Sequence, residues 1–131
     1  KQNAKAAEGE RKELAIATAK ELAEIHISTG YCVAEIPEAD GKLLQAIVEV
    51  LRASFPGPVF LAGAHEGRVA LIASVPKTHT DKFQAGKLIQ TLAPLVGGKG
   101  GGRPDLAQGG GTDPNGLTTV LAQAQELLQA S

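Results

Sequence analysis

With 131 residues, 43% apolar side chains and a formal net charge of −1, the chain is the size of one domain and can bury roughly two thirds of its unfolded surface. Only four aromatics, Tyr31, Phe55, Phe60 and Phe83, leave the core aliphatic and give little material for stacking single-stranded bases. The lone cysteine, Cys32, excludes an internal disulfide and suits a reducing compartment; no apolar run approaches the ~20 residues of a membrane span, and the charged start KQNAKAAEGERKE is unlike a signal peptide. Lacking methionine, the sequence reads as a piece of a larger cytoplasmic protein.

Residues 4 to about 27 are rich in the helix formers Ala, Glu and Lys, and Leu14, Thr18, Leu22 and Ile25 recur at helical spacing. So long and weakly apolar a helix needs a partner: its own domain, a preceding domain, or a second copy of the chain in a homodimer. Residues 1–30 are taken as a helical extension or linker and 31–131 as the globular domain. The run Tyr31–Ile36, begun after Gly30 and stopped by Pro37, reads as a first strand. Asp40 offers an N-cap, and Leu43, Leu44, Ile47, Val48 and Leu51 form one helical face that Phe55-Pro56-Gly57-Pro58 terminates.

Two apolar runs, 59–63 and 69–75, flank Ala64–Arg68 and predict an antiparallel hairpin. The second is continuously apolar, so it is expected at the centre of the sheet with helices on both faces. A third helix is expected from a cap at Thr78 or Thr80, burying Phe83, Ala85, Leu88, Ile89 and Leu92 and ending near Pro94. At the far end Asp113-Pro114 supplies an N-cap and a first-position proline. Leu117, Val120, Leu121, Ala124, Leu127 and Leu128 then give the cleanest helical pattern in the chain. The fold class is α/β (α+β): a mixed β-sheet flanked by helices, with a long N-terminal helix.

Between these helices lies GGKGGGRPDLAQGGG, residues 97–111, with eight of the sixteen glycines. Such a run lets the backbone reach left-handed conformations and lets a bulky group come close to the amides, which can then form an anion-binding nest. It is read as a structured phosphate- or backbone-binding loop, with Pro104–Gln108 available as an edge strand. Residues 77–103 carry Lys77, Lys82, Lys87, Lys99 and Arg103 against Asp81 alone, a balance of +4. Positive charge therefore gathers just ahead of the second glycine triplet, as phosphate contact requires.

The order Gly98-Lys99-Gly100-Gly101-Gly102-Arg103-Pro104-Asp105-Leu106-Ala107-Gln108-Gly109-Gly110-Gly111, with Val75-Pro76, Ala85–Ile89 and Pro94–Val96 upstream, resembles the C-terminal domain of bacterial alanyl-tRNA synthetases. That domain is a member of the DHH-associated family, and the likeness covers about residues 31 to 129. DHH phosphoesterases usually carry a histidine after the glycine triplet; Arg103-Pro104 stands there instead and favours the synthetase branch. The resemblance implies a domain that holds the outer corner of tRNA(Ala), where the D and T loops meet, and works with the remaining domains of a parent synthetase in aminoacylation and editing. On this reading Lys99, Gly100, Gly101, Gly102, Arg103, Pro104, Gln108, Gly109, Gly110 and Gly111, with Lys87 and Lys82, are the RNA-binding residues. Arg103 would make a bidentate phosphate or base-edge contact, Lys99 would neutralise charge, and Gln108 would bond a base edge or ribose.

No catalytic or metal-binding constellation is legible. His26, His65 and His79 are widely spread and form no zinc-ligand spacing with Cys32. Gly98-Lys99-Gly100 lacks the Ser or Thr of a P-loop, and Ser28, Ser54 and Ser74 have no triad context. Neither turnover nor a cofactor is expected of this segment alone. Two other classes remain open: the substrate-side domain of a DHH-type phosphoesterase or a free-standing alanyl-tRNA editing protein, and a dimerisation module built on the N-terminal helix.

Overall fold

The continuous apolar run expected beneath helices on both sides becomes the middle strand of a five-stranded sheet. The computed structural model describes residues 2–26, 30–36, 41–55, 57–65, 67–76 and 84–129. In chain order the elements are α1 (Gln2–His26), β1 (Cys32–Glu35), α2 (Gly41–Ser54), β2 (Val59–His65), β3 (Arg68–Ser74), α3 (Ala85–Leu92), a 3₁₀ turn (Ala93–Val96), β4 (Lys99–Gly102), β5 (Leu106–Gly111), a second 3₁₀ turn (Pro114–Gly116) and α4 (Leu117–Gln129).

The strand order is β1-β2-β3-β5-β4. β1 pairs with β2 in parallel, as the intervening α2 crossover requires, and the other pairings are antiparallel. The sheet divides the interior in two. On one face Phe60, Leu71, Ala73 and Ala107 pack with Leu88, Ile89 and Leu92 of α3 and Val120, Ala124 and Leu128 of α4. On the other, Cys32, Val59, Leu61 and Ile72 pack with Leu44, Ile47, Val48 and Leu51 of α2 and Ala15, Ala19 and Leu22 of α1.

Helix α2 buries all five residues of its predicted face. In α1 the buried stripe is Ala15, Ala19 and Leu22, while Leu14 and Ile25 are 52% and 64% exposed. The alanines win because their small side chains let α1 lie close against α2. Helix α3 begins at Ala85 with no side-chain cap from Gln84; the expected caps Thr78 and Thr80, with Phe83, lie outside the described residues, as does Asp40. Asp113 does cap, its Oδ1 accepting from Asn115 N at 3.1 Å, with Pro114 in the first position of the turn that leads into α4.

The largest departure concerns the glycine run. It is a hairpin of the sheet rather than a loop. The strand drawn at Pro104–Gln108 runs instead from Leu106 through the second glycine triplet, and it is internal, paired with β3 on one side and β4 on the other. The edge strand is Lys99–Gly102. Strand propensity argues against glycine here, but packing overrides it, because α3 and the turn after it lie directly on the hairpin backbone.

Candidate nucleic-acid interface

The hairpin's amides are largely committed within the protein. Gly97 and Gly98 donate to Pro94 O (3.1 Å) and Ala93 O (3.0 Å), and Arg103 N donates to Leu106 O (3.0 Å). Thr112 and Asp113 both donate to Val96 O, at 3.0 and 2.9 Å. The amides of β5 lie in a strand paired on both sides. These amides are spent within the protein, so beyond the outer edge of β4, which pairs with β5 alone, what the hairpin offers a ligand is mainly side chains and an open surface.

Strand alternation sorts that surface. Gly100 and Gly109 are paired, and a Cβ on either would stand 2.5–2.6 Å from Ile89 Cγ2, so both face α3. Their neighbours Lys99, Gln108 and Gly110 fall on the opposite side. There Gln108 pairs with Ile72 and Gly110 with Ala70, residues of the α1/α2 side of the sheet. Helix α2 covers β2 and β3; Leu106 at the start of β5 still packs against its cluster, but among the described residues no helix is packed over the rest of β5 or over β4 on this face. Lys99 and Gln108 are exposed there, and Gly110 and Leu106 are half-buried. The result is a flat shelf floored largely by backbone.

One end of the shelf is the turn Arg103–Asp105. Its carbonyls cap α3: Ala85 N donates to Pro104 O at 2.8 Å and Gly86 N to Arg103 O at 3.2 Å. Val75 N donates to Asp105 O at 2.9 Å, fixing the turn to the end of β3. The Arg103 side chain, 73% exposed, lies with its Nε 3.7 Å from Asp105 Oδ1. The same carboxylate meets Arg52, in the last turn of α2, with Nη2 3.5 Å from Oδ2.

The structure thus brings Lys99, Gln108, Gly110, Arg103 and Pro104 onto one hairpin. Gly100, Gly109 and Gly111 belong to its other side, against Ile89 and Val96, while Gly101 and Gly102 lie on the edge strand beside Gln90 and Ala107. Lys87 is exposed on α3, in the layer across the sheet from Lys99, and Lys82 lies outside the described residues. Arg52 escapes a sequence reading because about a third of the chain separates it from the glycine run; only the seating of α2 on β2 and β3 carries it there. Among the described residues no group of three or more His, Cys, Asp or Glu could hold a metal ion, and no described helix is long and apolar enough to cross a membrane.

The profile of the DHHA1 domain matches residues 28–130. Alanine–tRNA ligase of Pseudomonas entomophila is 47% identical over 92 residues, covering 70% of this chain and 10% of that protein. The same enzyme of Staphylococcus saprophyticus is 52% identical over 65 residues, 50% of this chain and 7% of that protein. The chain therefore spans a tenth or less of the length of these curated relatives. Among solved structures, the C-Ala domain from Aquifex aeolicus alanyl-tRNA synthetase matches with a TM-score of 0.66 at 29% identity, over 76% of this chain and 88% of that one. RecJ from Thermus thermophilus, in complex with Mn2+, shares the fold with a TM-score of 0.55 at 19% identity, over 90% of this chain and 17% of RecJ.

Proposed function

Because the chain belongs to the DHHA1 domain family, with relatives in alanine–tRNA ligases, we propose that it is the tRNA-binding C-terminal domain of such a ligase. In this reading it rests against the outer corner of tRNA(Ala) and helps present the acceptor end to aminoacylation and editing centres in the remaining domains of a cytoplasmic parent enzyme. The domain itself performs no chemistry and needs no cofactor.

The observation that carries the reading is the uncovered face of the glycine hairpin. A shelf with few side chains lets a ribose–phosphate backbone approach closely. Lys99 and Arg103 stand at its two ends, and Gln108 lies between them with an amide that both donates and accepts. Phosphate contacts fix register and orientation without reading sequence, and an RNA corner is recognised mainly by shape. The isolated domain is accordingly expected to discriminate weakly between tRNAs. The scarcity of aromatics is no obstacle to this mode, and the net charge of −1 matters less than the local cations.

The test is a salt titration of binding to full-length tRNA(Ala) and to an acceptor-stem minihelix, with wild type and the Lys99→Ala/Arg103→Ala pair. Each phosphate contact removed should flatten log K against log[salt] by roughly 0.7–0.9. The expected result is binding to the full tRNA and not to the minihelix, with affinity and slope both reduced in the double variant. Equal binding of the minihelix would overturn contact at the corner. A stable dimer of the chain with no RNA affinity would assign it to assembly through α1, and tight binding of mononucleotides would assign it to the phosphoesterase class.

A further inference from the structure

The charged cluster at the end of the shelf is not explained by folding. Arg52 and Arg103 come from a helix and a hairpin turn distant in sequence, yet both guanidinium groups meet one carboxylate, at 3.5 Å and 3.7 Å. Each arginine spends one nitrogen on one oxygen, at distances longer than the roughly 2.7–2.9 Å of a tight charge-assisted bond. Most of the five N–H donors of each fork remain unspent. Exposed ion pairs of this kind add little stability.

Their exposure is ordered. The side chains of Arg103 and Arg52 are 73% and 41% exposed and that of Asp105 only 20%, so the carboxylate lies beneath and the two cations above it. The main chain below is fixed by Val75 N to Asp105 O, Arg103 N to Leu106 O, and the two bonds into the start of α3. Two cations over one anion leave a net positive charge at a rigid corner.

We propose that Arg52 and Arg103 form a two-arginine clamp for a backbone phosphate of the RNA, with Asp105 as the positioning residue that holds the two forks side by side. The inference rests on the RNA-binding reading and adds to it a residue from α2. Guanidinium forks suit the paired oxygens of a phosphodiester, where a lysine offers only a point charge. The clamp stands on an exposed corner continuous with the shelf, which suits a phosphate carried on a polymer over a free ion that needs enclosure.

The experiment is a salt titration of tRNA binding by the full chain for wild type, Arg52→Ala, Arg103→Ala, the double variant, Arg52→Lys and Asp105→Asn. Lys20→Ala, on the exposed side of α1, serves as control. Because both forks hold one phosphate, each single alanine variant should flatten the slope by roughly 0.7–0.9, and the double variant should lose no more than either single. Arg52→Lys should keep the slope and bind several-fold more weakly. Asp105→Asn, with an unchanged melting temperature, should also weaken binding several-fold, although it removes a negative charge that would repel RNA.

If wild type binds and Arg103→Ala loses slope while Arg52→Ala does not, the clamp is overturned and the RNA reading stands. Tighter binding by Asp105→Asn would overturn the positioning role. A parallel titration with inorganic phosphate, following both arginine Nε–H NMR signals, separates the two failures. Signals that move together in a chain that binds no tRNA would leave an anion site and overturn RNA as its occupant. Signals that move singly or not at all would overturn the clamp.

Discussion

A Cβ at position 109 would stand 2.6 Å from Ile89 Cγ2 and 3.1 Å from both Gly100 Cα and Lys99 O. Two of those neighbours are main chain held in the sheet, so only the isoleucine can give way. Overpacking of this kind costs about 1–3 kcal/mol, and Gly109→Ala is expected to destabilise by about 2 kcal/mol in urea unfolding. Removing the obstruction should recover part of that: Gly109→Ala with Ile89→Ala should cost less than the sum of the two singles by at least about 0.5 kcal/mol. A strictly additive pair would place the clash elsewhere. That something approaches these glycines closely was legible from their number and order. That it is α3 was not, because β5 and Ile89 are brought together only by the sheet.

At the scale of elements, helix ends decide how the glycine hairpin is held. Helix α3 receives no side-chain cap; its first amides donate to the carbonyls of Arg103 and Pro104, so helix and hairpin turn stabilise each other. Helix α4 is entered through a short 3₁₀ turn capped by Asp113. Losing such a cap costs about 0.5–2 kcal/mol, and Asp113→Ala is expected to lower stability by about 1 kcal/mol while Asp113→Asn retains most of it. A lower loss for alanine than for asparagine in chemical denaturation would contradict the capping role. The Asp113-Pro114 cap was legible because both residues act within a few positions along the chain. The capping of α3 was not, since its acceptors lie in the hairpin turn, well downstream of the helix.

At the scale of the whole molecule, the sheet separates two apolar clusters, and Cys32 sits in the one beneath α1 and α2. Burial pushes its thiol up from 9.0 to about 12. The unfolded chain releases this proton above pH 9, whereas the folded chain holds it until about pH 12. The thiol's contribution is thus fully present below pH 9 and is lost as pH rises through that window, by up to about 1.4 kcal/mol per pH unit. Urea unfolding of wild type and Cys32→Ala at pH 8 and pH 10 checks the sign. The wild type should lose more stability than the variant between the two, and an equal loss would show the thiol to be accessible. In the folded state at pH 8 the same group should resist alkylation, because the thiolate is the reactive species.

The sequence by itself determined which segments are helix and strand wherever one short-range pattern sufficed. The apolar face of α2, the β2–β3 hairpin, the central place of β3 and the Asp113 cap all depend on neighbours within a turn or a strand. The glycine run with Arg103-Pro104 was specific enough to point to the family before any fold was known. Tertiary structure decided what the run becomes. Its lack of side chains leaves no periodicity to read, and its strand state comes from pairing with β3 and from α3 pressing on its backbone. It also decided that Ala15 and Ala19 bury beside the expected Leu22 in place of Leu14 and Ile25, because close packing of two helices favours small side chains over the most apolar ones. Bringing Arg52 to Arg103 and Asp105 likewise needed the whole sheet, since only its strand order sets the end of α2 beside the hairpin turn.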